Sequence, residues 1–163
     1  MADVFISFIH EEQRVATAVQ RLLERHFGRK KVFLSSDQWQ VFAGEIWLDR
    51  LRAELSSAKI VLLMLSYRSV ERPWVNFEAG AAWLSGKALI PVCFGGLTKG
   101  TLPKPYSGIQ AIDIPDEAYY LLVSVAHYLN VMAPIPFHPT DDSEVGEINL
   151  ALDSIRAEDK LSE

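Results

Sequence analysis

The apolar positions of this chain switch between two periods, and the switching sets out the elements. "DVFISF" (3–8) is a compact apolar run of strand length. "EEQRVATAVQRLLERHF" then places Val15, Ala18, Val19, Leu22 and Leu23 at helical spacing. Two glutamates open that segment and Arg25–His26 close it, the order the helix macrodipole favours, and Gly28 stops it. "KKVFLS" (30–35) predicts a second strand, and "SDQWQVFAGE" a loop carrying large aromatics. "EIWLDRLRAELSSA" (45–58) predicts an amphipathic helix through Ile46, Leu48, Leu51 and Leu55. "KIVLLMLS" (59–66) is almost wholly apolar, as a strand covered on both faces must be.

The same alternation continues. "RPWVNFEAGAAW" (72–83) predicts a third helix and "ALIPVCF" (88–94) a fourth strand, whose Pro91 implies an edge position or a bend. A long Gly/Pro loop (95–108) leads to a fifth strand over 109–114 and a helix over 116–129. Strand–helix alternation of this kind predicts one parallel sheet with helices on both faces. Such sheets bind ligands outside the carboxyl ends of their strands. Here those ends are Phe8–Glu11, Ser35–Gly44, Ser66–Pro73 and Phe94–Gly108. Beyond residue 132 the character changes. A proline-broken stretch precedes a helical stripe of Val145, Ile148, Leu152 and Ile155. We therefore divide the chain into a domain over 1–132 and an extension over 133–163. That extension is either a helix docked on the domain or a link to a partner domain.

Charge adds one asymmetry. The net charge is −5. Past Thr140 there are eight acidic residues against Arg156 and Lys160, so residues 1–140 are almost neutral. That balance gives no reason to expect nucleic acid as a partner. The basic cluster His26–Lys31 reads as a solvated helix end. The single cysteine, Cys93, lies in an apolar run and reads as a buried thiol in a reducing compartment. With no signal-peptide pattern and no membrane-length apolar run, we expect a cytoplasmic protein without membrane attachment.

Several chemistries lack their residues. The four histidines are scattered, with no HxxxH or CxxC, so no metal site is expected. There is no GxxxxGK[ST] loop, no GxGxxG after the first strand and no GxSxG elbow. A receiver domain would share the order of elements, but its phosphoacceptor aspartate should close the third strand, which here ends Leu65–Ser66.

One carboxylate stands out. From Pro73 to Gly86 the only charged residue is Glu78, and the next acid is Asp113. It is either a placed functional group or a solvated charge on the second turn of a helix. Trp74 lies one turn earlier on the same face. Trp83 reads as a core filler. Trp39 and Phe42 follow neither helical nor strand spacing and suit a lid or an interface.

Taken in order, "DVFISFIHEE", "VFLSSD…AGEIW", "AKIVLLMLS" and "WVNFEAGAAWLSGKALIPV" resemble a Toll/interleukin-1 receptor (TIR) domain from about Asp3 to Asn130. "WVNFE" matches the family's WxxxE pattern, and "FEAGAAW" looks bacterial. The resemblance implies a flavodoxin-like five-stranded parallel sheet with helices on both faces, here followed by the C-terminal helical extension. It also implies NAD+ as substrate rather than cofactor, cleaved at the nicotinamide–ribose bond, with Glu78 as the catalytic residue. Trp74 would wall the pocket. Phe8, Ile9 and His10, after the first strand, would lie against NAD+. Asp37, Trp39 and Phe42 would belong to a mobile loop after the second strand, with Trp47 just inside the next helix. Two departures bear on NAD+ contact. Ile9–His10 stand where many relatives carry arginine, and Ser35–Ser36 stand where many carry an early aspartate.

The expected activity is an NAD+ glycohydrolase or cyclase working in bacterial immune signalling or abortive-infection (antiphage) defence, with self-association through TIR–TIR contacts. Two alternatives stay open: a scaffold TIR domain acting by contact alone, and a nucleoside N-glycosidase or transferase using the same glutamate on a smaller substrate.

Overall fold

The computed structural model describes residues 2–36 and 47–162, the side chain of Trp47 excepted. Five parallel strands form one sheet in the order β2-β1-β3-β4-β5. They are β1 (Val4–Phe8), β2 (Val32–Ser36), β3 (Ile60–Leu65), β4 (Ala88–Cys93) and β5 (Ile112–Asp113). The helices are α1 (Gln13–Phe27), α2 (Trp47–Ser57), α3 (Pro73–Leu84), α4 (Ala118–Leu129) and α5 (Asp142–Ser162). The alternation of periods predicts a parallel sheet covered on both faces, and the order found is the flavodoxin-like one that the TIR resemblance implies.

Two apolar clusters sandwich the sheet. On one side, Val4, Ile6 and Phe8 of β1 and Ile60, Leu62 and Met64 of β3 meet α1, α4 and α5. On the other, Phe5, Val61, Leu63 and Leu65 meet Leu51 of α2 and Val75, Ala79 and Ala82 of α3. Every residue of β1 and β3 is buried, which is why neither strand alternates with polar residues. Each such aliphatic side chain contributes about 1.5–3 kcal/mol on leaving water.

Local chemistry sets the ends of the helices. Pro73 starts α3 where its missing N–H is not needed, after an extended Arg72. Asn130 closes α4 in the left-handed region, its N–H reaching the carbonyls of Ala126 and His127. Residues His10–Glu12 form a 3-10 turn, so α1 begins two residues later than the glutamates suggest.

β5 is much shorter than the expected run over 109–114. A 3-10 turn at Tyr106–Gly108 holds the Ile109 N–H, and the Asp113 N–H donates to the Glu117 carboxylate at 2.8 Å. That side chain takes a donor that a longer strand would have offered to a neighbour, which blunts the sheet edge. Because β5 pairs only with Val92 and Cys93, Pro91 has no β5 residue opposite it, and its lack of a donor is tolerated.

α5 buries Val145, Ile148, Ala151 and Leu152 in the cluster that contains α1. Its acids face the bases of α1. Glu147 pairs with Arg21 at 3.0 Å and Arg25 at 3.4 Å, and Glu144 meets His26 at 2.8 Å. The end of α1 is therefore only partly the solvated basic cluster the sequence suggests. Arg29 and Lys30 are exposed, but Arg25 and His26 hold α5. Further along, Asp159 accepts from Arg68 at 2.6 Å, in the connection after β3. Exposed pairs of this type each contribute at most about 1 kcal/mol, so the buried aliphatics do most of the holding.

Candidate active site

Glu78 occupies the second turn of α3, between the buried Val75, Ala79 and Ala82, and is itself fully buried. The solvated-charge alternative is thereby removed. Ser35, near the end of β2 and also fully buried, donates its Oγ–H to Glu78 Oε1 at 2.5 Å. A carboxylate taken out of water is costly unless polar groups replace the solvent. Ser35 supplies one such group, from a strand 43 residues away in sequence.

Trp74 is half-buried one turn earlier and stacks on the exposed Phe77, with ring centroids 6.3 Å apart and planes at 28°. Ile9 is fully buried in the cluster on the α2/α3 side, the face of the sheet that carries Glu78. Phe8 is buried in the opposite cluster, against α1 and α4, and so faces away from α3. His10 is exposed and lines a groove of about 680 Å³ between α1 and α5. Of the sequence-derived candidates, Glu78, Trp74 and Ile9 thus share one side of the sheet. Asp37, Trp39 and Phe42 lie outside the described residues. Trp47 begins α2, with its side chain outside them as well.

A second buried carboxylate lies near the carboxyl ends of β1 and β3. Glu12 is 2% exposed and accepts from the Ser66 hydroxyl. Burial pushes its pKa up to about 7, against the opposing effects of Ser66 and Arg68. Ser69 completes this network, accepting from the Ser66 N–H at 2.7 Å and donating to the Met64 carbonyl at 3.0 Å. On the surface above it, Arg72 donates to Glu11 at 2.8 Å. The sequence gives little sign of Glu12, which reads as one of two ordinary acids at a helix start. Its one visible signal is position, directly after the first strand.

A groove of about 640 Å³ runs along the outer side of α3, lined by Asn76, Gly80, Trp83, Tyr106 and Ile109. Tyr106 donates to the Asn76 side chain there. Neither this groove nor the one beside α5 is lined by Glu78. Among the described residues no three His, Cys, Asp or Glu side chains converge on a metal position, and no helix is long and apolar enough to cross a membrane.

Comparison with curated proteins finds no match. The sequence profile of the TIR domain matches residues 4–122, which run from the first residue of β1 into α4 and include Ser35, Trp74 and Glu78. With most of its length covered and the five-stranded parallel sheet in place, the chain belongs to the TIR domain family.

Proposed function

We propose that this TIR domain cleaves NAD+ at the nicotinamide–ribose bond, with Glu78 as the catalytic residue. The observation that carries this reading is the fully buried Glu78 carboxylate, held by Ser35 at the end of β2 on a helix with no other charge. A buried carboxylate must be held by polar groups in place of water, and a reaction that needs a fixed negative charge gives such a placement a use.

The chemistry suits one carboxylate. Nicotinamide leaves as a neutral base, so no proton donor is required. The ribose then carries oxocarbenium character, as in glycoside cleavage. Glu78 stabilises that cation electrostatically or by hydrogen bonds to the ribose hydroxyls. Trp74, stacked on Phe77, offers an aromatic wall for the nicotinamide ring. Attack by water gives ADP-ribose, and internal attack gives a cyclic isomer. In this reading the protein is a bacterial-type enzyme of immune signalling or antiphage defence. It works as a self-associated assembly, with residues 133–163 as a helical extension of the TIR domain.

A scaffold role is the second reading, and one observation favours it. Phe77, Trp83 and Leu84 of α3 are 58%, 70% and 80% exposed, an apolar surface suited to TIR–TIR contact.

The test is chromatography of NAD+ incubated with the concentrated protein and with Glu78→Gln and Glu78→Ala. We expect nicotinamide release by the native chain and a loss of at least about 100-fold in both variants. Activity unchanged in the variants would remove Glu78 from the chemistry. A native chain inactive even when assembled would leave the scaffold. Cleavage of a smaller nucleoside in place of NAD+ would redirect the same glutamate to another substrate.

A further inference from the structure

Ser35 has a neighbour whose hydroxyl has no partner among the described residues. β1 and β2 are parallel and in register, with Ser7 directly beside Ser35. Residues paired in this way point to the same face of a sheet. Ser35 reaches Glu78 of α3, and Phe5, two residues before Ser7, packs in the cluster on the α2/α3 side. Ser7 therefore faces the same helices. It is fully buried, and its Oγ makes no hydrogen bond among the described residues. A buried hydroxyl without a partner is uncommon in folded proteins, and alanine would fill the position without that penalty. Stability alone gives Ser7 no role.

We propose that Ser35 and Ser7 are paired positioning residues for Glu78, Ser35 fixing the carboxylate at rest and Ser7 receiving it as it turns toward the ribose cation. The proposal rests on the NAD+ reading for its consequence in turnover, but its geometry stands apart from that reading. Adjacent strands are about 4.8 Å apart, so the two hydroxyls lie side by side beneath one helix. The second hydroxyl thus sits on the strand next to the one whose hydroxyl the carboxylate accepts from. Neither serine touches the substrate. Both act through Glu78, holding its charged form and its direction.

Two measurements on the full chain test this. The first is steady-state nicotinamide release over a range of pH for Ser35→Ala, Ser35→Thr, Ser7→Ala and the Ser7→Ala/Ser35→Ala pair. Loss of a hydrogen bond to a charged group should lower kcat about tenfold or more in Ser35→Ala, with little change in KM. The acid limb of its kcat profile should move to higher pH, because the charged form has lost a donor. Ser35→Thr should recover most of the rate. The double variant should fall below either single variant, since the two serines act on Glu78 at successive points of turnover. Equal loss in kcat and KM, or a Ser7→Ala change without effect in either background, would overturn the proposal.

The second measurement does not need turnover. The carboxylate stretch of Glu78, isolated as the infrared difference between native protein and Glu78→Gln, should shift in Ser35→Ala. An unshifted band refutes the positioning role even in an active enzyme. A shifted band in a chain that leaves NAD+ intact refutes the NAD+ reading alone.

Discussion

Glu12 gives the sharpest test of the energetics. It is 2% exposed, accepts from Ser66 through Oε1, and its Oε2 has no hydrogen-bond partner among the described residues. Its pKa stands at about 7 in the fold against an ordinary 4.5, mainly because burial disfavours the charge, with Glu11 adding to the shift and Arg68 and Ser66 opposing it. Between those two values the folded protein keeps a proton that the unfolded chain has released. Stability contributed by this group therefore falls as pH rises through that window, and below it the penalty disappears. A gap of this size corresponds to about 3 kcal/mol once both states are charged, and under about 1 kcal/mol at pH 5. Glu12→Gln keeps the shape and the acceptor for Ser66 but is neutral at every pH. We expect it to stabilise the protein by about 3 kcal/mol at pH 8 and by about 1 kcal/mol or less at pH 5. In thermal melts the variant's gain in Tm should be larger at pH 8 by about 4–8 °C. A Tm change of the same size at both pH values would refute the reasoning, because it would reflect packing rather than charge.

Other variants probe the helices and the loop network. Ile148→Ala should cost about 2–5 kcal/mol in urea denaturation, because Ile148 is fully buried against α1. A loss under 1 kcal/mol would mean that α5 is only loosely attached. Gly80→Ala should raise stability by about 0.5–1 kcal/mol, since a Cβ there meets nothing within 4 Å and the residue lies inside α3. Ser69→Ala should lower it by about 1–3 kcal/mol by leaving the Met64 carbonyl and the Ser66 N–H without their partner, as urea denaturation would report.

The elements were legible because strands buried on both faces and one-sided helices have distinct periods. β1 and β3 read as continuous apolar runs, and the stripe of α5 was visible from Val145 to Leu152. The fifth strand was over-read. Hydrophobicity over 109–114 does not reveal that the 3-10 turn at Tyr106–Gly108 will take the Ile109 N–H. Glu78 was conspicuous as a lone charge, yet its burial was not, since helical spacing says which residues share a face and not how deep a face lies. In the sequence Ser35 stands out only as a departure from an aspartate. Its role depends on contact with a residue 43 positions away, which one-dimensional patterning cannot supply. Glu12 is inconspicuous for the same reason, its partner Ser66 lying 54 positions distant. The charges of the tail were counted correctly, but their destination on α1 emerged only when the two helices met.

The family match ends at Leu122, partway along α4, whereas the apolar cluster continues through Val125, Val145, Ile148 and Leu152. The unit that recurs between relatives and the unit that folds are consequently different lengths of chain. A chimera or minimal fragment cut at the homology limit would uncover the face of α1 that α5 protects, and would solubilise poorly for reasons unrelated to Glu78. Grafting this domain onto another protein calls for a junction after the last turns of α5. A shorter graft would need new partners for Arg21 and Arg25 of α1, which otherwise meet Glu147 and the Glu144 carbonyl of α5.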